Sequence, residues 1–533
     1  MRWPLHLALA FLPALAAAQT SVSLHVSAGD SLGPLPAITG YFGYDEPNYT
    51  YSDNGQALIA ELASLGSRPV QIRTHFLLAT GDGSGSLKWG STNAYTEDAA
   101  GKPVYDWSVI DRIFSTYLDA GAQPFVEIGF MPEALSTHPD PYRATWAPGA
   151  KNDRYFVGWT YPPKDYAKWE ELIRQWVRHE VSKFGRKRVA TWNWEVWNEP
   201  DIGYWHGTPE EYDKLYDVTA RAVKAVLPEA HVGGPATTGP SGKGGAAFLD
   251  QFLSHCASEK VPLDFISFHA KGRTSMDGGA ARMDLDKQMA DVEAGLKIVA
   301  KYPKFRMLPI VLSESDPEGC AACTARVYPQ NAYRNTSRYA AYTAAAWGRI
   351  LDLSARYDAN IRGMLTWAFQ FEGQPYFAGF RTLATHGIDK PVLNFFRMAG
   401  MMGDERLAVE GGHSGVNAVA SRSGQAISVL VWNYRDLNAA PASVRLSIDG
   451  IPMEAGRVLV RHYRVDGEFS NSYSRWLALG SPQAPSAEQQ AVLVRAGRLQ
   501  QFESPHWIPA NKQTADLRFD LPADAVSLVE LSW

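Results

Sequence analysis

Cysteine is nearly missing from this chain, and the shortage excludes several architectures at once. Three cysteines in 533 residues cannot supply a disulfide scaffold. Cys320-Ala321-Ala322-Cys323 has the spacing of half a zinc site, but no second pair exists and Cys256 stands alone, so a structural zinc is not expected. A local disulfide in an oxidising compartment and two buried thiols both fit that spacing. Charge of one sign is also scarce. A formal net charge of −5, with no long basic run, gives no general attraction to nucleic acid or to an anionic membrane. Beyond the N-terminal segment no apolar run is long enough to cross a bilayer. Internal repeats, long low-complexity linkers and oligomerisation stripes are absent, which argues against an assembly protein and leaves the oligomeric state open.

What is present is an ordinary globular balance, 45% hydrophobic and 20% charged, in a chain long enough for a large domain and a second one. Aromatics reach 12%, with 17 Trp and 24 Tyr; such flat rings bury well against the apolar faces of sugars, and they also fill cores. The first residues read as a secretory signal. Arg2 supplies a positive start, 5–15 an apolar stretch, and Ala16-Ala17-Ala18 a small-residue cleavage site. This predicts a removed segment 1–18, a mature chain from about Gln19, and a secreted or periplasmic location. Asn48-Tyr49-Thr50 and Asn335-Thr336-Ser337 match the glycosylation sequon, which matters only in a host that glycosylates.

Short apolar, β-rich runs alternate with amphipathic stretches over most of the chain. The runs are 37–42, 70–72, 124–128, 189–196, 231–234, 264–268, 308–312 and 363–367. Between them, 55–65, 108–120, 165–184, 209–226, 246–258, 283–302 and 337–357 read as helices, several with apolar residues three and four apart. Eight strands alternating with helices predict an α/β fold, a (β/α)8 barrel over 36–402. From 403 to 533 the pattern changes to apolar–polar alternation at 416–420, 426–433, 443–448, 457–464 and 526–531. Those read as half-buried antiparallel strands of a C-terminal β-sandwich. Within 19–35, the segment 21–26 alternates in the same way and is expected to join that sandwich.

The most informative stretch is Trp194-Glu195-Val196-Trp197-Asn198-Glu199-Pro200, a buried strand that ends in an amide, a carboxylate and a proline. Alone, Asn-Glu-Pro would equally cap a strand and open a helix. Its place in the alternation changes the reading, because residues just past barrel strands build barrel active sites. Strand two then gives Arg73 and His75, strand four Asn198 and Glu199, and strand six His269 and Lys271. Strand seven gives Glu314, and strand eight Trp367 with Glu372 soon after. Carboxylates from strands four and seven can face each other across the barrel mouth, and a pair about 5 Å apart is what a retaining glycosidase needs. Glu127 and Glu195 fall inside strands and belong to the polar interior.

The chain resembles glycoside hydrolase family 39, the β-xylosidases and α-L-iduronidases of the retaining barrel clan A. The resemblance is carried by Ile72-Arg73-Thr74-His75, by 125–132 with its Gly129-Phe130-Met131-Pro132, and by Trp197-Asn198-Glu199-Pro200. Ser267-Phe268-His269, Leu312-Ser313-Glu314, Tyr463-Arg464-Val465-Asp466, Ser470-Asn471-Ser472-Tyr473 and Gly480-Ser481-Pro482 extend it over nearly the whole mature chain. Ser315-Asp316-Pro317-Glu318-Gly319-Cys320 looks most like a bacterial β-xylosidase subgroup. Two positions depart from the family pattern: Lys271 stands where an aromatic often follows His-Ala, and Ser315-Asp316 replaces an aromatic after Glu314.

The resemblance implies Glu199 as general acid/base, Glu314 as nucleophile and Asn198 as the amide that bonds the sugar 2-OH. Arg73 and His75 would hold the nucleophile and sugar hydroxyls, His269 and Lys271 would touch the sugar, Trp367 would form a stacking floor, and Glu372 would reach the substrate. A neighbouring cation should keep Glu314 ionised, while the charge of Glu314 should raise the pKa of Glu199 so that it keeps its proton. The expected activity is a secreted β-xylosidase releasing xylose from the non-reducing ends of xylo-oligosaccharides by double displacement. Its partner is an oligosaccharide or glycoside, with no nucleic acid, no membrane insertion, no metal and no organic cofactor. An α-L-iduronidase, an arabinose-releasing enzyme or another exo- or endo-acting member would keep the same pair, and Lys271 could supply the cation a uronic acid needs. A carbohydrate-binding protein on an inactive barrel is the reading from a different class; the presence of both carboxylates argues against it.

Overall fold

The computed structural model describes residues 20–66, 68–149, 155–452 and 456–533; the expected signal segment lies outside them. Eight parallel strands close into a barrel: β1 (Tyr41–Tyr44), β2 (Gln71–Thr74), β3 (Gln123–Ile128), β4 (Asn193–Val196), β5 (His231–Thr237), β6 (Phe265–Lys271), β7 (Ile310–Asp316) and β8. β8 comes in two pieces. Ile361–Met364 pairs with β7, and Thr366–Trp367 pairs with β1, which completes the circle. The strands are buried almost throughout, as parallel strands covered by helices must be.

Helices follow each strand: α1 (Asp53–Ala63), α2 (Ser108–Ala120), α3 (Tyr166–Phe184), α4 (Pro209–Val226), α5 (Lys243–Ser258), α6 (Leu285–Val299), α7 (Ser337–Arg356) and α8 (Pro391–Gly400). Local chemistry sets their ends. α4 starts with a Thr208–Glu211 capping box and Pro209 in its first turn. The run 189–196 divides, because Arg186–Val189 closes a short helix and the strand begins only at Asn193. β5, β6 and β7 run three or four residues further than their apolar cores suggest, so His269, Lys271 and Glu314 lie within strands and not beyond them.

The second domain is a ten-stranded mixed sheet wrapped around its own apolar core. The strands expected there are present, and Glu405–Gly411, Gln500–Gln501, His506–Pro509 and Ala515–Leu521 join them. Thr20–Pro34 lies between Glu405–Gly411 and Ala442–Asp449, antiparallel to the first and parallel to the second. The purely antiparallel expectation fails at that one place. A strand arriving from the far end of the chain is not tied to its neighbour by a hairpin, which is what imposes antiparallel pairing elsewhere. The same strand leads into β1, so the barrel is bracketed on both sides by the sheet. α7 packs on the sheet so closely that a Cβ on Gly348 would lie 2.4 Å from the Trp432 ring.

Cys320 and Cys323 are joined in a disulfide, and Cys256 is a buried free thiol. Neither sequon is presented for glycosylation: Asn48 and Asn335 are buried, and their amides donate to Ser91 O (2.8 Å) and Phe377 O (2.7 Å). Among the described residues no helix is long and apolar enough to cross a membrane.

Candidate active site

β4 ends in a sharp turn. Trp197 and Glu199 both take positive φ, 71° and 42°, a conformation that non-glycine residues hold only where the surroundings enforce it. Here Trp197 Nε1 donates to Tyr204 O (2.9 Å), and the Glu199 amide donates to Ala236 O at the end of β5 (2.9 Å). The turn lifts Glu199 to the barrel mouth with its side chain 12% exposed. Across the mouth, β7 slips one residue against β6 between Leu312 and Glu314, which sets Glu314 beside His269. Such an irregularity re-aims a side chain. One oxygen of Glu199 and one of Glu314 thereby come within 4.8 Å of each other, with His269 Nδ1 2.8 Å from Glu199 and 4.0 Å from Glu314. A gap of that size suits a carboxylate pair working on one anomeric carbon from two sides.

Five of the other expected residues gather around the pair. Arg73 is fully buried and directs Nε to Glu195 (2.5 Å), Nη2 to Glu127 (2.9 Å) and to Asn198 Oδ1 (2.9 Å), with Nη1 3.7 Å from Glu314. His75 places Nδ1 on Asp45 (2.8 Å) and Nε2 3.8 Å from Glu314. His269 Nδ1 lies 2.8 Å from Glu199. Lys271 Nζ is in direct contact with Glu314 Oε2 and 3.8 Å from Glu199. Asn198 Nδ2 is buried and has no hydrogen-bond partner among the described residues.

Trp367 stands at the end of β8, its ring 4.3 Å from that of His75 and its Nε1 donating to Asp45 (3.2 Å). β1 makes room for it: a Cβ on Gly43 would fall 2.3 Å from the indole. Glu372 is the exception. Its carboxylate accepts from Ser52 Oγ (2.9 Å) and Asn54 Nδ2 (3.3 Å) at the start of α1. The loop after β8 carries this acid to a helix N-terminus, where a carboxylate is stabilised by backbone dipoles.

The electrostatics follow from one buried cluster. Burial opposes ionising Glu314, but Lys271, His269, His75 and Arg73 more than offset it and hold the carboxyl far below its usual range. Burial also opposes ionising Glu199, and there Lys271 and His269 prevail, so its pKa is lowered. The expected raising of Glu199 by Glu314 is thus outweighed, because the lysine ammonium contacts both acids. Glu127, by contrast, is pushed well up by burial despite Arg73; one guanidinium cannot neutralise three acids.

Some site residues escaped the sequence. Asp45 lies just past β1, where the strand-end rule would have found it. Behind β7, Arg381 pairs with Asp316 (3.3 Å) and Glu318 (3.0 Å); burial, opposed by Arg381, raises Asp316 to about 7. Nothing local in the sequence ties Arg381 to β7.

A cavity of about 670 Å³ opens above the pair, lined by Glu199, His269, Lys271, Lys88, Tyr204 and Trp146 among others. A second, of about 560 Å³, sits at the opposite end of the barrel among strand starts such as Gly40, Gln71 and Asn193. It holds no facing carboxylates, and barrel chemistry belongs to the other end. Among the described residues two groups have metal-like spacing, Glu199–His269–Glu314 and Asp111–His179–Glu180. Each already has a lysine ammonium on one acid, Lys271 on Glu314 and Lys183 on Asp111 (3.0 Å), so neither is arranged for a resident ion.

Comparison with known proteins agrees with this geometry. Residues 71–509 match the model of Glycosyl hydrolases family 39. The chain is 30% identical to a β-xylosidase of Geobacillus stearothermophilus over 87% of both chains, and 25% identical to the α-L-iduronidase of Homo sapiens over 90% of this chain and 74% of that one. In fold it is similar to a monomeric β-xylosidase from Caulobacter crescentus CB15, with a TM-score of 0.77 and 24% identity over 96% of this chain and 99% of that one. With facing acids just past β4 and on β7 and a family match spanning both domains, this chain belongs to glycoside hydrolase family 39.

Proposed function

We propose that this glycoside hydrolase is an exo-acting β-xylosidase that retains anomeric configuration. The observation that carries the reading is the approach of Glu199 and Glu314 to within 4.8 Å, closer than an inverting pair, which leaves about 6.5–9.5 Å for a water. The xylose preference is supported by the similarity to a β-xylosidase of Geobacillus stearothermophilus.

Glu314, held ionised, attacks the anomeric carbon and forms an ester as the glycosidic C–O bond breaks. Glu199 gives its proton to the departing oxygen. A water then enters, Glu199 takes a proton from it, the hydroxide displaces Glu314, and β-xylose leaves. Asn198 Nδ2, a buried donor without a partner among the described residues, takes the 2-OH in this reading, a contact that strengthens as positive charge builds on the sugar. Arg73 fixes Asn198 and adds positive potential beside Glu314.

Lys271 connects binding to protonation. A sugar seated against Glu314 displaces its ammonium, which removes the main influence holding Glu199 ionised. Burial and the Glu314 charge then raise Glu199 and give it the proton it must donate. A uronide-cleaving reading would use the displaced Lys271 ammonium for the sugar carboxylate, so both readings draw on the same contact. A panel of aryl glycosides separates the two, β-xyloside cleavage supporting the present reading and α-L-iduronide cleavage opposing it.

Export is part of the proposal, supported by the N-terminal sequence pattern and by the Cys320–Cys323 disulfide, a bond that persists in oxidising compartments. NMR of xylo-oligosaccharide digests tests the whole reading. Free xylose appearing first as the β-anomer agrees with it; α-xylose first, or internal cleavage products, would overturn it.

A further inference from the structure

The cavity at the barrel mouth is one-sided. Glu199 lines it, whereas Glu314, 4% exposed, lies beneath. In the double displacement proposed above, on which this inference rests, Glu199 faces the departing oxygen, so the space in front of it receives the leaving group. One wall of that space is the loop after β7, where Gly319 and both half-buried cysteines of the disulfide line the cavity. Trp146 contributes from the loop after β3.

That loop is held from behind. Arg334, fully buried, donates to the carbonyls of Cys320 (2.7 Å), Ala321 (3.2 Å) and Cys323 (2.6 Å). Asn331 Nδ2 adds a bond to Cys323 O (2.9 Å), and the Cys320 amide donates to Glu318 (3.0 Å). With three carbonyls so fixed, the backbone does not depend on the disulfide for its path. What the disulfide adds is a polarisable apolar surface on the cavity side, of the kind that packs on a sugar's C–H face as an indole does. Tyr328 and Gln330 line the same cavity, and their side chains make no other hydrogen bond among the described residues, leaving them for sugar hydroxyls.

We propose that the Cys320–Cys323 loop and Trp146 form the binding site for the sugar on the leaving-group side of the scissile bond, so that the substrate carries a pyranose aglycone and not a small alcohol. The test compares kcat/KM on xylobiose with that on β-D-xylopyranosyl fluoride, whose leaving group is a single atom and cannot occupy the site. A Cβ on Gly319 meets nothing within 4 Å, so Gly319→Phe projects its ring into the space without disturbing the fold. It should lower kcat/KM on xylobiose roughly tenfold or more and leave the fluoride within about twofold. Cys320→Ser with Cys323→Ser should give a smaller loss, about threefold, on xylobiose alone. Equal losses on both substrates, or none on either, overturn the proposal. Fluoride turnover reports that each variant is folded. Wild-type protein that cleaves neither substrate overturns the xylosidase reading itself and this proposal with it.

Discussion

The Lys271 ammonium rests on the carboxylate of Glu314. The contact explains three features together: Glu314 is strongly ionised, Glu199 is lowered against expectation, and Lys271 itself is raised by the two acids although burial alone would lower it.

Replacing this lysine should move the pH dependence of catalysis in a defined direction. In the proposed mechanism Glu314 works ionised and Glu199 protonated, and Lys271 lowers both pKa values. In Lys271→Met both rise, so the acidic and the alkaline limbs of kcat/KM against pH shift to higher pH. Unmoved limbs on an aryl β-xyloside would show that the ammonium does not act on the pair.

Gly43→Ala tests the floor of the site. The new methyl would lie 2.3 Å from the Trp367 ring and 2.9 Å from the Arg73 carbonyl oxygen, so the indole must move. Overpacking of this kind costs about 1–3 kcal/mol, and with Trp367 as the proposed sugar platform its displacement should lower kcat/KM by roughly tenfold to a hundredfold. Steady-state kinetics with thermal unfolding separates the two effects.

Arg73→Met removes the guanidinium buried among Glu127, Glu195 and Glu314. Leaving buried acids without their cation destabilises by about 3–5 kcal/mol. Urea unfolding should show a smaller loss at acidic than at neutral pH, because protonation relieves the uncompensated charge.

Glu180 offers a stability test away from the mouth. Fully buried on α3, it accepts from Trp176 Nε1 (2.8 Å), and burial pushes its pKa from 4.5 up to about 8. Its folded pKa lies above its unfolded one, so its contribution is greatest below about 4.5 and is lost as pH rises toward about 8. Glu180→Gln keeps the acceptor and removes the titration. The variant should match wild type in acid and exceed it at pH above about 8, by on the order of 3–5 kcal/mol. Equal stabilities across that range would contradict the assignment.

Much of this was legible in the residues. Period and turn chemistry gave the alternation of strands and helices, and Glu199 announced itself at a strand end between Trp197 and Pro200. Glu314 needed more than periodicity: its aim depends on the slip in β7 against β6, a tertiary feature with no local signature. The contacts of Glu372 with Ser52 and Asn54 were hidden for the opposite reason, since proximity in sequence to Trp367 says nothing about which way the loop turns. The parallel pairing of Thr20–Pro34 was likewise beyond reach, because alternation reveals a strand's faces and not its direction. The lowered pKa of Glu199 required knowing that Lys271 contacts both acids, a matter of a few ångströms that spacing along the chain does not encode.

The most direct test is to trap the covalent intermediate. An activated 2-deoxy-2-fluoro-β-xyloside slows both steps, and a good leaving group lets the first proceed, so the sugar should accumulate on the nucleophile. Peptide mass spectrometry is predicted to find the fluorosugar esterified to Glu314, with activity lost in proportion to labelling. A label on any other residue, or turnover without a trapped species and with inverted product, would contradict the account.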